Sequence, residues 1–211
     1  MYFSKEAIEA MPRIRRLNMI NCITGIKPGN LIGTQSDRGQ SNVAIFSNIV
    51  HLGSDPALLG IIFRPQHEKP RDTYLNIKSS GAFTVNAIPT NLIEHAHYTS
   101  AKFPQEVSEF DRCGLTKEYL HDFSAPFVKE SPLKIGLELV EEIPITTNNT
   151  IMLVGRILHL QFPDDMMEEE GHLNLETINT VGIGGLNQYY RLQKIAQFPY
   201  AHLKDVPDFN K

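Results

Sequence analysis

Arg64 and the run Arg71-Asp72-Thr73 are the residues whose types and spacing best suit chemistry, and that chemistry is anion binding. Asp72 is a natural N-cap, so this run reads as the start of a helix. Unpaired backbone N–H groups there, at the positive end of the helix dipole, suit a phosphate. Arg64, at the end of the preceding apolar run, can add a charge-assisted, bidentate contact. Asp72 itself is assigned to capping, because a carboxylate aimed at a phosphate would repel it. An ordinary capped helix with solvated arginines shows the same pattern, and these residues alone leave both readings open.

Other chemistries find less support. Gly182-Ile183-Gly184-Gly185 lacks the GxGxxG spacing of a dinucleotide fold and reads as a tight turn or bulge. There is no P-loop, and Ser47, Ser79, Ser100 and Ser131 all lack the GxSxG setting of a nucleophile elbow. His95 and His97, two apart, diverge by about 200° on a helix and cannot share a metal. Cys22 and Cys113 stand in no metal-ligand spacing and are expected as free, buried thiols.

The elements that must position Arg64 and Thr73 are mostly strands. Ser4 caps a short helix that Pro12 weakens. Asn30 to Ser36 reads as a strand, Asp37-Arg38-Gly39 as a tight turn and Asn42 to Val50 as the partner strand or a strand-to-loop segment, giving the clearest hairpin. Ala57 to Arg64 is an almost unbroken apolar run, as expected of an interior strand. Arg71 to Ser80 follows as a helix with Gly81 at its C′ position, then Ala82 to Ile88 as a strand. Residues 90–100 read as a second helix with Leu92, Ile93 and Ala96 on one face. After a loop-rich stretch over 101–132 come two long strands, Ile135 to Ile143 and Thr150 to Leu160, with Pro144 and Asn148-Asn149 marking the turn. The acidic run Asp164 to Glu170 is expected to be a solvated loop. Many strands and few helices predict an antiparallel barrel with appended helices rather than a doubly wound sheet.

Composition sets limits. The 211 residues carry a net charge of −4 with both signs scattered, which argues against broad binding of nucleic acid. No apolar run approaches the roughly 20 residues needed to span a bilayer, and no signal peptide is visible. No membrane association is expected, and a cytoplasmic location is the default.

Several segments in order resemble one family. The stretch Asn30-Leu-Ile-Gly-Thr-Gln-Ser-Asp-Arg-Gly-Gln-Ser-Asn-Val-Ala-Ile-Phe-Ser-Asn-Ile49 is similar to the flavin reductase-like family of FMN-binding split barrels. So are Ser54-Asp55-Pro56, the segment Arg71 to Ile77 against that family's D-T-x-x-N-I pattern, Ser108 to Thr116, and Gly184-Gly185-Leu186 with Tyr189. The resemblance covers about residues 20–190. It implies a mainly β fold, a split barrel with added helices, forming one domain over 1–211 with a helical extension at 1–20.

The resemblance also implies flavin mononucleotide (FMN) as cofactor. The family's N-x-A-x-x-S segment contacts the ring and ribityl chain, which implicates Asn42, Ala44, Ile45, Phe46, Ser47 and Asn48. Arg64, Arg71 and Thr73 then correspond to the phosphate end, while Ser100 and Lys102 lie where members close over the cofactor. The chain departs from the family at Ile45, where proline is frequent, and at Pro56-Ala57, where Pro-Pro is frequent. The implied activity is that of an NAD(P)H-dependent flavin reductase, needing no catalytic acid, base or nucleophile from the protein. The alternatives are a non-catalytic, flavoredoxin-like FMN electron carrier and a barrel that binds some other small anion. NAD(P)H, a flavin or another acceptor, and a second copy in a homodimer are the partners implied, with His97 a candidate nicotinamide contact.

Overall fold

The computed structural model describes residues 1–66 and 70–209. In chain order the helices are α1 (Lys5–Glu9), α2 (Arg13–Cys22), α3 (Asp72–Ser80), α4 (Ile93–Tyr98) and α5 (Glu109–Arg112). The strands begin with β1 (Lys27–Pro28), β2 (Asn30–Gln35), β3 (Ser41–Phe46), β4 (Ile49–Ser54), β5 (Ala57–Phe63) and β6 (Ala82–Ala87). They continue with β7 (Lys117–Glu118), β8 (Phe127–Val128), β9 (Lys134–Ile145), β10 (Thr150–Gln161), β11 (Val181–Gly184) and β12 (Gln188–Arg191).

Seven strands form one antiparallel sheet in the order β3-β2-β6-β9-β10-β5-β4. It curls into a barrel, because the side chains at alternate positions of its strands meet inside. Ile32, Phe83, Leu137, Leu153 and Ile61, one from each of five strands, are all fully buried in a single cluster. Ile77 of α3 enters the same cluster, so this helix plugs the barrel. On the outer face, Leu31 and Val43 join Ile88, Leu92, Ala96 and Phe110 in a second cluster covered by α4 and α5. Neighbouring residues such as Leu31 and Ile32 therefore serve different cores, as the two-residue period of a strand demands.

Several expectations hold locally. Ser4 Oγ accepts from the Ala7 N–H at 3.2 Å, and Gly81 ends α3 in the left-handed region at φ 70°. The strand beginning at Ala57 and the helix with Leu92 and Ala96 buried are both present, the latter opening with a 3₁₀ turn over Thr90–Leu92.

Others are corrected. The helix starts at Asp72, with Arg71 in the N-cap position and its N–H donated to Gln66 Oε1 at 2.8 Å. The partner strand of the hairpin divides at Ser47-Asn48 into β3 and β4, and the Asn48 side chain donates to Ile62 O. That link joins the end of β3 to β5 and draws the barrel's two edges together. Pro144 lies inside β9 rather than in a turn. β9 pairs with β6 only over Lys134–Glu138, so beyond that point the missing N–H costs nothing on the open side.

Gly182 and Gly184 belong to strand β11, and the turn begins only at Gly185 (φ 62°). A Cβ on Gly182 would lie 2.1 Å from Ile26 Cγ2, and one on Gly184 2.7 Å from Tyr190 Cε2. Glycine is there to let neighbours approach. Cys113 is buried as expected but Cys22 is exposed, because α2 buries none of its residues. The acidic run is exposed apart from a half-buried Glu168 and Met166, which anchors a 3₁₀ turn in the interior. Among the described residues no helix is long and apolar enough to cross a membrane.

Candidate functional site

β3 is an edge strand, and its two faces and its free edge organise the site. Its register with β2 places Asn42 opposite Thr34 and Ile45 opposite Leu31. Val43 directs its N–H away from β2, to the Glu109 carboxylate. In an antiparallel pair the outward-facing residues alternate, so Ile45 also turns its N–H and C=O to the open edge. An outward N–H is the place where an edge strand tolerates proline. The departure at Ile45 therefore exchanges one side chain for another without breaking a ladder bond.

The face of β3 towards α3 is polar at one end and aromatic at the other. Asn42, with its amide nitrogen turned to the carboxylate, donates to Glu109 Oε2 at 3.1 Å. Its oxygen accepts from the hydroxyls of Thr73 at 3.0 Å and Thr34 at 3.3 Å. Thr34 Oγ1 also accepts from Asn76 Nδ2 at 3.1 Å, and Ser41 meets Ser108 at 3.0 Å. Asn42, Thr73, Asn76, Thr34, Ser41, Ser108 and Glu109 are all buried. This network fastens β2, β3, α3 and α5 to one another. At the other end Phe46 is half-buried, its ring 5.2 Å from that of Phe63, with Ala44 half-buried between the two regions.

Glu109 lies in the Ser108 to Thr116 segment that carries the resemblance, but nothing in that segment gives it a role, since the role depends on α5 meeting β3. Burial pushes the Glu109 carboxyl above its ordinary range. Its own backbone N–H and that of Val43 oppose the shift, and the nearby charge of Asp72 adds to it. Asp72 is also raised, first by burial, against the pull of Arg71 and with a contribution from Glu106.

For a carboxyl raised on folding, the native state holds the proton over the window between the ordinary and the raised value. Stability is therefore greatest below that window and falls as pH rises through it. Glu109→Gln is expected to flatten this fall and to stabilise the protein at neutral pH, while its amide oxygen still accepts from Val43. Glu109→Ala leaves the buried Asn42 amide nitrogen without its acceptor and is expected to be about 1–3 kcal/mol less stable than the glutamine variant. Urea unfolding across pH checks both.

The remaining candidates divide between the two faces. Arg71 and Arg64 are exposed at the start of α3 and the end of β5, and among the described residues neither holds a carboxylate in a salt bridge. Thr73 turns its hydroxyl into the buried network, so what it offers outward at the helix start is backbone. Ser47 is half-buried, and Asn48 is engaged with β5. Ser100 and Lys102 are exposed beyond the end of α4, where Ser100 Oγ donates to His97 O at 2.8 Å. α4 packs on the outer face of β3, the one carrying Val43 and Ile45. The two groups thus approach the open edge from opposite sides.

On that outer face Ile45, Phe103 and Tyr189 pack against one cluster, and Tyr189 OH meets His97 Nδ1 at 2.9 Å. His95 Nδ1 instead faces Cys113 O at 2.7 Å, so the two histidines do diverge. Among the described residues no group of His, Cys, Asp and Glu could hold a metal.

The edge has what a flavin nucleotide needs. Outward backbone polar groups at Ile45 match a hydrogen-bonding ring edge, Phe46 and Ile45 offer apolar surface, and two arginines stand by a helix start for a phosphate.

Comparison with known proteins bears on the fold and the family. A flavin reductase split-barrel protein from Shewanella frigidimarina superposes with a TM-score of 0.91 at 44% identity, covering 95% of this chain and 100% of its own. The 2-nitrobenzoate 2-nitroreductase of Pseudomonas fluorescens matches at 0.81 and 20% identity, over 99% of this chain and 100% of its own. The flavoredoxin of Desulfovibrio vulgaris matches at 0.71 and 21% identity, over 83% and 92%. Residues 26–179 match the flavin reductase like domain. The chain belongs to the flavin reductase-like family and has its split-barrel fold.

Proposed function

We propose that the protein holds FMN along the open edge of β3 and uses it as an NAD(P)H-dependent flavin reductase. The observation that carries this reading is the coincidence at one edge of free backbone at Ile45, the Phe46 face and the Arg64–Arg71 helix start. When bound, FMN supplies the ring that accepts a hydride from the nicotinamide. The chain's part is to bind, orient and shield. Val43, fixed by Glu109, sets the height of the edge, and Asn42 fixes α3 relative to it through Thr73. Arg64 and Arg71 neutralise the phosphate. Phe46 excludes water from the side of the ring towards α3, while His97, held by Tyr189, stands beyond Ile45 on the outer face where a nicotinamide would approach. A homodimer completes the proposal.

Rapid mixing of the FMN-loaded protein with NADH or NADPH, without oxygen, tests it. The expected result is bleaching of the visible flavin band by at least one of the two. Tight FMN binding with no bleaching by either favours the electron carrier, the reading suggested by the flavoredoxin match. Purified protein that is colourless and takes up no FMN would reject both.

A further inference from the structure

We propose that residues 192–209 form an arm that packs on a second copy of this chain. The inference rests on the homodimer reading and extends it by naming the element that makes the contact. After β12 every described residue from Leu192 to Phe209 is exposed. The composition is not that of a solvated tail: Ile195 is 94% exposed, Phe198 83%, Tyr200 84%, Leu203 92% and Phe209 83%. Solvated tails are poor in such residues, since large apolar groups in water raise the free energy of the chain.

Among the described residues, the arm is fastened to the rest of the chain at its root. Lys194 donates its N–H to Glu176 Oε1 at 3.1 Å, and its ammonium lies 3.5 Å from Glu168. Beyond it, the described hydrogen bonds of residues 195–206 stay within the segment, as from Asp205 N to His202 O at 2.9 Å. The one ring contact, Tyr200 with His202 at 5.3 Å, is also local. Pro199 and Pro207 flank a short 3₁₀ turn over Leu203–Asp205.

One solved structure takes in nearly all of the arm and another at least part of it. The Shewanella protein covers 95% of the chain and the Pseudomonas nitroreductase 99%, more than would remain if residues 192–209 lay outside the match. The second of these is only 20% identical. The described hydrogen bonds of residues 195–206 do not reach the barrel, so cover for the apolar side chains among them must come from elsewhere. A second copy is the one partner every such chain has at equal concentration.

The area agrees. Three aromatic side chains per arm, at about 150–250 Å² each, with Ile195 and Leu203 and a two-fold axis that repeats the contact, reach the roughly 1,600 Å² of a standard stable interface.

The test places a photo-crosslinking benzoylphenylalanine at position 198 of the full chain, mixes tagged with untagged protein and irradiates. It is paired with sedimentation of the wild type and of Phe198→Ser/Leu203→Ser. Both side chains are exposed, so the double variant keeps its protomer fold. The expected results are crosslinks between tagged and untagged chains and dimer dissociation strengthened roughly 30-fold or more. A dimeric wild type with crosslinks confined to one chain, or a double variant that dimerises as well as the wild type, overturns the arm while leaving the homodimer standing. A wild type that sediments as a monomer overturns both. Crosslinks only to an unrelated protein in a cell lysate would also overturn this proposal.

Discussion

Replacing Arg64 and Arg71 together by alanine is expected to weaken FMN binding by roughly 100-fold or more while leaving riboflavin almost unchanged. Each arginine would contribute a charge-assisted hydrogen bond to the phosphate, worth about 1.5–3 kcal/mol. Riboflavin shares the ring and ribityl chain and lacks only the phosphate, so it isolates that contact. The setting makes these two cations decisive. Asp72, Glu106 and Glu109 lie near the helix start, and burial has already raised the carboxyls of Asp72 and Glu109. An added dianion needs compensation that the helix dipole, about 0.3–1 kcal/mol at such a terminus, does not supply alone. Thr73→Val serves as the contrasting variant. Its hydroxyl is held by Asn42 rather than turned outward, so its loss is expected to weaken FMN and riboflavin alike. Fluorescence titration with both ligands gives the four comparisons. Equal losses of both ligands in the double arginine variant would move the phosphate to the other side of β3, where Lys102→Ala becomes the damaging change.

Gly33→Ala is expected to destabilise the protein by about 3 kcal/mol, the upper part of the range for overpacked cores. For a chain of this size that lowers the melting temperature by about 6–12 °C. A Cβ at Gly33 would lie 2.1 Å from Pro126 O and 2.6 Å from Thr84 Oγ1. Thr84 Oγ1 already donates to that carbonyl at 2.7 Å, so the crowding falls on backbone that is itself pinned. β2 lies between β3 and β6, and any shift that relieves the clash moves Thr34 and the Asn42 network with it. FMN affinity is therefore expected to fall along with stability. Gly53→Ala is the control: its Cβ would meet only Pro56 O at 3.5 Å, an ordinary contact. A thermal melt of both variants, with FMN titration, checks the pair.

What could be read in the residues and what could not follows one physical division. Features encoded by near neighbours were legible. The hairpin of β2 and β3 shows in its Asp37-Arg38-Gly39 turn, β5 in its apolar run, and the end of α3 in Gly81, the one residue that adopts φ 70° without strain. The family follows from several such segments in order. Features that depend on which distant elements meet were not legible. Pro144 reads as a breaker until β9 is seen to outrun its partner β6. Gly182 and Gly184 read as a turn until Ile26 and Tyr190 are seen lying against them. The division at Ser47-Asn48 exists because Asn48 must reach Ile62, fourteen residues on. Cys22 looks like any other small hydrophobe, and its exposure follows only from where α2 lies, with none of its residues fully buried.

The same division runs through the site. Asn42 and Thr73 were singled out separately, one as a ring contact and one at a helix start, whereas the structure bonds them to each other. Glu109 was missed, because nothing within α5 shows that its carboxylate lies over the edge of β3. The proposed arm is of the same kind: its aromatic residues are plain in the sequence, but their lack of cover appears only when the rest of the fold is in place.

In the proposed arrangement the open edge of β3 and the start of α3 hold the two ends of one flavin nucleotide. A crystal structure of the protein grown with FMN measures this directly. The ring is expected along Ala44–Phe46, within hydrogen-bond distance of the Ile45 backbone, and the phosphate between Arg64 and Arg71. A ring seated away from β3, or a phosphate beside Ser100 and Lys102 with both arginines in solvent, would contradict it.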